Sequence, residues 1–245
     1  MKILLSNDDG YNSKGILILE KSLKEFGEVI VAAPKNNMSA SSSCLSVHSK
    51  VQVIKKTKTL YIIDGTPADC VHILTRGILK RMPDIVFSGI NFGSNLGDDV
   101  IYSGTIAAAI EGRFCKFSPV AISIASSKPK YISDLNKKLN IILEFIFRKL
   151  YKIPTIYNIN IPDLAFNKIK GIKFTSLGKR SMPQKALKTV KGDKIFFNIG
   201  NRGKRLSSDD ESDFVAVNKG YISITPLNIN MIDNVQFEKL RKING

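Results

Sequence analysis

Hydrophobic residues form short continuous runs along the first two thirds of this 245-residue chain. Such runs indicate strands that are buried on both faces, and they lie at 3–5, 29–33, 84–88, 120–125 and 156–161. Helical spacing of apolar residues and helix start signals occur between the runs. They predict helices near 15–26, 67–79, 106–110 and 134–150.

This alternation predicts an α/β protein with a mostly parallel sheet and helices on both of its faces. Two further β segments are predicted near 45–54 and 59–64. In parallel sheets, ligands bind outside the carboxyl ends of the strands. The polar loops at 7–13, 34–44 and 89–104 all follow strands. We therefore expect these loops to gather at one edge of the sheet and to form one site.

Beyond about residue 168, the pattern changes to short β-like pieces that are separated by glycines, such as 195–197 and 221–224. A short helix is predicted at 234–243. A region with so little core of its own must pack on the main domain or on a partner chain. We predict one functional domain overall, with a core at 1–180 and a β-rich C-terminal extension at 181–245.

The composition favours a globular cytoplasmic protein. Hydrophobic residues make up 43% of the chain, which is ample for a sizeable core. We find no apolar stretch long enough to cross a bilayer and no secretory signal pattern near Met1, so no membrane association is expected. The cysteines Cys44, Cys70 and Cys115 are too widely spaced for a zinc pair, and we expect all three to be buried, inert thiols.

The formal net charge of +16 is compatible with nucleic acid, anionic membranes or anionic substrates as partners. The lysines are dispersed along the chain, and no basic run with interleaved aromatic residues is present. This distribution disfavours nucleic acid as a partner. The simpler role for the positive charge is electrostatic attraction of a phosphate compound to the protein. A basic nucleic-acid-binding protein on an α/β scaffold without catalysis stays open as the alternative. It would bind nucleic acid in a strongly salt-dependent way.

The most specific chemical signal is a pair of adjacent carboxylates, Asp8 and Asp9, directly after the first predicted strand. Two like charges are costly to bring together unless a positive charge joins them, and divalent cations prefer oxygen ligands. Neighbouring strand residues point to opposite faces, so both carboxylates reach one ion only if the chain bends, which Gly10 permits. The simpler alternative is a turn without a metal. An aspartyl-phosphate mechanism with an Asp-x-Asp pair fits the adjacent pair poorly.

The long Gly/Asn/Asp loop predicted at 89–104 is the second candidate, because loops of this length in compact domains are usually functional. Asn91 offers a neutral oxygen that can complete a metal shell, or it is a turn residue. The residues Ser103, Gly104 and Thr105 precede a helix of small residues, where free N–H groups and hydroxyls favour phosphate. An ordinary N-cap at Thr105 explains the same tripeptide. The loop lacks the P-loop pattern, and the first turn lacks the dinucleotide-binding glycine pattern.

These segments together resemble the SurE family, the stationary-phase survival protein E phosphatases. The resemblance is carried, in order and with spacing kept, by Ser-Asn-Asp-Asp-Gly at 6–10, Ala-Ala-Pro at 32–34, Ser39, Gly-Thr-Pro-Ala-Asp-Cys-Val at 65–71, Pro-Asp-Ile-Val-Phe-Ser-Gly-Ile-Asn at 83–91 and Asn-Leu-Gly-Asp-Asp-Val-Ile-Tyr-Ser-Gly-Thr at 95–105. It covers the first half of the chain closely and is loose beyond residue 180.

The resemblance implies a Rossmann-like three-layer core and a homodimer or homotetramer that exchanges its C-terminal region between subunits. It implies a metal-dependent nucleotidase that hydrolyses nucleoside 5′- or 3′-monophosphates, and also short polyphosphates. One Mg²⁺ or Mn²⁺ ion per subunit would be held by Asp8, Asp9, Ser39 and Asn91. Catalysis would rest on Asp8, Asp9 and Asn91, and phosphate binding on Ser103, Gly104, Thr105 and Asn95. Either aspartate would serve as proton acceptor, with Asp9 preferred.

The loop around Ser39 departs from the family pattern, which reads close to Asp-Arg-Asn-Arg-Ser-Gly-Ala-Ser. Here residues 35–42 read Lys-Asn-Asn-Met-Ser-Ala-Ser-Ser, so both arginines and the glycine are missing. Arginine is the natural bidentate ligand of phosphate, so we expect altered substrate affinity or preference. Lys35 is the cation that this loop retains. A regulatory protein that binds an anion but has lost catalysis is a third interpretation.

Overall fold

A computed structural model describes residues 1–39, 41–200, 202–206 and 210–243. The strands are β1 (Lys2–Ser6), β2 (Glu28–Pro34), β3 (Val53–Lys55), β4 (Leu60–Ile63), β5 (Ile85–Phe92), β6 (Val120–Ile124), β7 (Ile156–Ile161), β8 (Ile172–Phe174), β9 (Leu187–Lys191), β10 (Lys194–Asn198) and β11 (Ile222–Leu227). The helices are α1 (Lys14–Leu23), α2 (Pro67–Ile73), α3 (Gly104–Glu111), α4 (Leu135–Phe145), α5 (Asp213–Asn218) and α6 (Asn234–Arg241). Single π-helical turns extend α2 and α4 over Leu74–Ile78 and Ile146–Leu150, and 3₁₀ turns lie at Gly97–Tyr102, Gly112–Phe114, Ile132–Asp134 and Phe166–Lys168.

Nine strands form one sheet in the order β3-β4-β2-β1-β5-β6-β7-β11-β8. Neighbouring strands in this sheet run parallel, except that β3 is antiparallel to β4 and β11 is antiparallel to β7. The remaining strands, β9 and β10, form a separate antiparallel hairpin. The predicted mostly parallel sheet is confirmed.

Helices cover both faces of the sheet, as β1 illustrates. Ile3 and Leu5 pack in a core cluster with buried residues of α1 and α4, whereas Leu4 packs in a second cluster with α2 and α3. Successive strand residues point to opposite faces, so one continuous apolar run serves both cores. The three-layer α/β fold is therefore confirmed, and the continuous apolar strands are its cause.

The strand β5 extends further than its apolar run predicts. It continues through Gly89 to Phe92, so Asn91 lies within the strand instead of in the loop predicted at 89–104. A register shift between Gly89 and Asn91 marks a bulge, after which Asn91 pairs with Ser123 of β6. Pairing with β6 thus overrides the low strand propensity of glycine and asparagine.

The β segment predicted at 45–54 is wrong over most of its length, because β3 begins only at Val53. The preceding residues bond to the start of α2 instead of to another strand. Ser46 donates from its N–H and its hydroxyl to the Asp69 carboxylate at 2.9 and 2.7 Å. The Cys44 carbonyl accepts from Thr66 Oγ1 at 2.7 Å. These side-chain bonds satisfy polar groups that a strand ladder would otherwise pair.

The C-terminal region contributes both to the sheet and to the surface. β11 is a strand of the main sheet and α5 packs on that sheet, whereas the hairpin β9–β10 and the helix α6 consist of exposed residues. The domain boundary at residue 180 stays a prediction. Within the described ranges, no helix combines the length and the apolar character that crossing a membrane requires.

The three cysteines are free thiols. Cys70 is buried and Cys115 is half-buried, but Cys44 is exposed. The expectation of buried thiols is therefore wrong for Cys44, because this residue lies in the loop between β2 and β3 instead of in a core element.

The buried face of α1 can be tested with two leucines of the same helix. Leu19 is fully buried, whereas Leu17 is 52% exposed. We expect Leu19→Ala to lower the free energy of unfolding by about 2–5 kcal/mol, because a cavity replaces the side chain. Leu17→Ala should change it by less than about 0.5 kcal/mol. Urea unfolding followed by circular dichroism measures both, and equal losses would contradict this orientation of α1.

Candidate functional site

The chain bends directly after β1. Asn7 Nδ2 donates to the Gly10 carbonyl at 2.9 Å and to Ser13 Oγ at 2.8 Å, which holds the bend closed. Gly10 has a φ of +98°, a conformation that glycine adopts readily. Within the bend, Asp8 is buried and Asp9 is half-buried. The bend expected from Gly10 is present, and it releases both carboxylates from strand alternation.

The first turn of α3 packs against Asp8. Thr105 Oγ1 donates to Asp8 Oδ1 at 2.6 Å. A Cβ at Gly104 would lie 2.9 Å from the Asp8 Cβ, so glycine is what permits this close approach. Ser103 is the N-cap, since its Oγ accepts from the Ile106 N–H at 3.1 Å. The N-cap predicted at Thr105 is therefore wrong, because that hydroxyl bonds to the carboxylate instead.

Burial dominates the electrostatics of the two aspartates. The pKa of Asp8 is raised from its ordinary 3.8 to about 6, with burial as the main cause. The Thr105 hydrogen bond lowers this pKa, and the neighbouring charge of Asp9 raises it. Burial also raises the pKa of Asp9, whose Oδ2 accepts a long bond from the Phe92 N–H at 3.4 Å. Among the described residues, no lysine, arginine or histidine forms an ion pair with either carboxylate.

A cavity of about 400 Å³ opens at this edge of the sheet. Five of the residues predicted from the sequence border it: Asp8, Ser39, Asn91, Asn95 and Ser103. The other three lie next to it. The carboxylate of Asp9 lies at the Phe92 N–H, and Gly104 and Thr105 lie against Asp8. Residues from three separate loops thus meet at one edge, as the parallel sheet predicts.

The oxygens around this cavity fit a hard divalent cation. Ser39 is exposed, and its Oγ donates to Asn37 Oδ1 at 2.6 Å. Asn91 Nδ2 donates to the Gly93 carbonyl at 2.8 Å. Both bonds use hydrogens and leave an oxygen available as a ligand. Together with the carboxylates of Asp8 and Asp9, which form no ion pair with a described residue, these oxygens are the donor set that Mg²⁺ or Mn²⁺ prefers.

Two asparagines that the sequence interpretation missed hold the loop behind the cavity. Asn158 and Asn160 of β7 donate from Nδ2 to the Asn95 carbonyl at 2.8 and 2.9 Å. In return, the Asn95 N–H donates to Asn160 Oδ1 at 2.9 Å, and Asn95 Nδ2 donates to Ser123 Oγ at 2.8 Å. The signal was visible, because polar residues two positions apart in an apolar strand share one face.

A cluster of two arginines at the buried carboxylate of Asp99 was also missed. Asp99 Oδ2 accepts from Arg180 at 2.8 Å (Nε) and 2.6 Å (Nη2), and from Arg202 Nη1 at 2.9 Å. Asp99 and Arg202 border the cavity, together with Phe92 and Tyr102. The two arginines are about 80 and 100 residues away from Asp99 in sequence, so no local pattern could have predicted the cluster.

Comparison with known proteins gives one consistent result. Residues 3–184 match the family model described as "Survival protein SurE". A "5'-nucleotidase SurE" of Ruthia magnifica is 43% identical over 242 residues, which cover 99% of this chain and 98% of the relative. One from Coxiella burnetii is 38% identical, with 98% and 93% covered. The crystal structure of the Sure protein from Aquifex aeolicus superposes over the full length of both chains, with a TM-score of 0.86 and 35% identity.

The raised pKa of Asp8 predicts a stability cost in the absence of metal. The folded state holds the Asp8 proton more tightly than the unfolded chain does, so the free energy of unfolding falls as the pH rises from about 4 to about 6. Above about pH 6, the full cost of burying the ionised carboxylate remains. With a chelator at pH 8, we expect Asp8→Asn to raise the free energy of unfolding by about 1–3 kcal/mol. Near pH 3.5, where Asp8 is protonated in the folded state, the increase in the free energy of unfolding should shrink to a small fraction of its value at pH 8.

Urea unfolding at both pH values measures this difference. Asp64→Asn, at an exposed position, is the matched control and should change stability little at either pH. A gain for Asp8→Asn that is equal at both pH values, or a loss at pH 8, would contradict the assigned burial cost.

Proposed function

The chain belongs to the SurE family, and on this basis we propose that it is a nucleotidase in which Asp8, Asp9, Ser39 and Asn91 hold one Mg²⁺ or Mn²⁺ ion. The enzyme is a phosphomonoesterase that acts on nucleotides, and the names of its relatives point to nucleoside 5′-monophosphates. The proposal also includes 3′-monophosphates and short polyphosphates as substrates. The comparisons give no support to a nucleic-acid-binding protein without catalysis.

One observation supports this assignment above the others. The adjacent carboxylates of Asp8 and Asp9 are buried and half-buried, and Asp8 borders a polar cavity. No described cationic side chain forms an ion pair with either carboxylate. An uncompensated pair of this kind is unfavourable for folding, so it points to a bound cation. When bound, a divalent ion lowers the pKa of water and offsets negative charge on a phosphoryl group.

The protein side chains divide the remaining tasks. Thr105 orients Asp8 through the 2.6 Å hydrogen bond and thereby directs a carboxylate oxygen into the site. Asp9 is the freer of the two to accept a proton from the attacking water, because the hydrogen bond it accepts from the Phe92 N–H is long and Asp8 is more deeply buried. Asn91 supports the same ion through its amide oxygen.

The phosphate-binding side of the proposal rests on Ser103, Gly104, Thr105 and Asn95. Ser103 borders the cavity at the N-terminus of α3, where the helix dipole favours an anion. Asn95 borders it from the loop that β7 holds in place. The rings of Phe92 and Tyr102 offer apolar surface for the nucleoside part of the substrate.

Asp9→Asn tests this function directly. We expect the substitution to lower kcat for a nucleoside monophosphate by on the order of 10²–10⁴-fold, because it removes both a ligand charge and the proton acceptor. The melting temperature should stay close to that of wild type, since Asp9 is only half-buried. Phosphate release is measured after chelation and after addition of Mg²⁺ or Mn²⁺. Asp64→Asn is the control, and equal turnover by wild type and Asp9→Asn would overturn the proposal.

We also propose that the enzyme works as a homodimer or homotetramer whose C-terminal extension packs on a partner subunit. The helix α6 has no buried residue, although Val235, Phe237 and Leu240 are large and apolar. The hairpin is equally uncovered, with Leu187, Val190, Ile195, Phe196 and Phe197 exposed. Exposed apolar surface of this extent marks an interaction site, and a second copy of the chain would cover it.

A double variant of α6 tests the assembly. We expect Phe237→Glu with Leu240→Glu to shift the protein from oligomer towards monomer in size-exclusion chromatography with light scattering, because charge in an apolar interface is unfavourable. Lys239→Glu places the same acidic group on the same helix without removing an apolar side chain, and it should leave the assembly intact. A wild type that is monomeric at micromolar concentration would contradict the proposal.

We further propose a cytoplasmic location. The three cysteines are free thiols, and Cys44 is exposed, which suits a reducing compartment.

A further inference from the structure

We propose that Arg202 of the C-terminal region binds the phosphate group of the substrate in this cavity. The inference rests on the nucleotidase function proposed above. It assigns a phosphate ligand outside the segments that carry the family resemblance.

The charges on the cavity wall give the first argument. Of the described residues that border the cavity, Arg202 is the only one with a positive side chain, while Asp8 and Asp99 are acidic. A phosphate monoester is largely a dianion at neutral pH, so it requires positive charge in addition to that of one metal ion shared with two aspartates. The loop at 35–39 supplies no arginine, and Lys35 does not border the cavity.

The ion cluster at Asp99 gives the second argument. Two guanidinium groups meet one carboxylate there, so one positive charge is in excess. Arg180 is the fixed partner. It donates twice to Asp99, its Nη1 donates to the Gly203 carbonyl at 3.0 Å, and its side chain is only 16% exposed. Asp99 therefore stays paired even when Arg202 bonds to another anion.

Arg202 is the adaptable member of the cluster. Its side chain is 58% exposed, and among the described residues it donates one hydrogen bond, from Nη1 to Asp99. The Nε and Nη2 groups thus remain available for a bidentate bond to phosphate, the geometry that guanidinium favours. A side chain that is exposed and held by one bond can follow a substrate into the cavity.

The test compares Arg202→Gln with wild type and with Lys204→Gln, which removes the same charge two residues away at an exposed position. Isothermal titration with inorganic phosphate in the presence of Mn²⁺ gives Kd, and phosphate release from a nucleoside monophosphate gives KM and kcat. We expect Arg202→Gln to raise Kd and KM by about tenfold, as loss of a charge-assisted hydrogen bond does. The inhibition constant of the free nucleoside should stay unchanged, which a general distortion of the site would not allow. Lys204→Gln should match wild type.

The outcomes separate this inference from the proposed function. If wild type turns over the substrate and Arg202→Gln has the same Kd and KM as wild type, the proposed role of Arg202 is wrong. The proposed nucleotidase function is then unaffected. Absence of turnover by wild type with every metal overturns the nucleotidase, and the phosphate titration then decides on Arg202 alone. If Arg202→Gln melts well below wild type, Arg202→Lys takes its place. It keeps the charge but loses the bidentate geometry, so about a threefold rise in Kd supports the inference and an unchanged Kd overturns it.

Discussion

Two neighbouring carboxylates that have lost much of their contact with water determine how the rest of the site is built. Ionised Asp8 is unfavourable in its buried position, which is why its pKa lies near 6. The chain does not relieve this by an ion pair with a described side chain. Instead, α3 packs against Asp8, which the missing side chain of Gly104 permits, and Thr105 donates a hydrogen bond to the carboxylate. The protein thus presents negative charge that only a proton or a cation can complete.

The surrounding architecture keeps this arrangement rigid although much of it lies in loops. Buried backbone groups must be paired, and here side chains from distant elements pair them. Asn158 and Asn160 bond to the backbone of Asn95, and Asp213 accepts from the Gly97 N–H at 2.7 Å. The loop that borders the cavity is therefore attached to β7 and to α5. The nine-stranded sheet sets the position of each attachment, because its parallel strands end at the same edge.

The sequence predicted this fold well wherever local pattern and burial agree. The apolar run at 3–5 is a strand whose side chains pack into the hydrophobic cores on both faces of the sheet. β7 has the bounds that its apolar pattern predicts. Predictions failed where a distant partner decides. Gly89–Phe92 remains a strand because β6 pairs with it. Ser46 leaves the predicted strand because Asp69 lies within reach. The site residues in the motifs at 6–10 and 95–105 were found from the sequence, because residues of suitable chemistry occur there directly after predicted strands and at the spacing of the family. The asparagines of β7 stand out in their apolar strand, but their bonding partner Asn95 is evident only in the folded chain. The arginines at Asp99 were not found, since only the folded chain brings them near.

The C-terminal region links the surface of the molecule to the cavity. Arg180 and Arg202 lie on either side of the hairpin β9–β10 and share the carboxylate of Asp99. The Ser181 N–H donates to the Lys204 carbonyl at 2.9 Å, so the two ends of the hairpin segment are also bonded to each other. In the assembly proposed above, a partner subunit that packs on the exposed hairpin would contact the segment that joins the hairpin to Arg202. Such a contact would restrict the Arg202 side chain before substrate arrives and would lower the entropic cost of binding phosphate, so the two proposals together imply that assembly and substrate affinity are coupled.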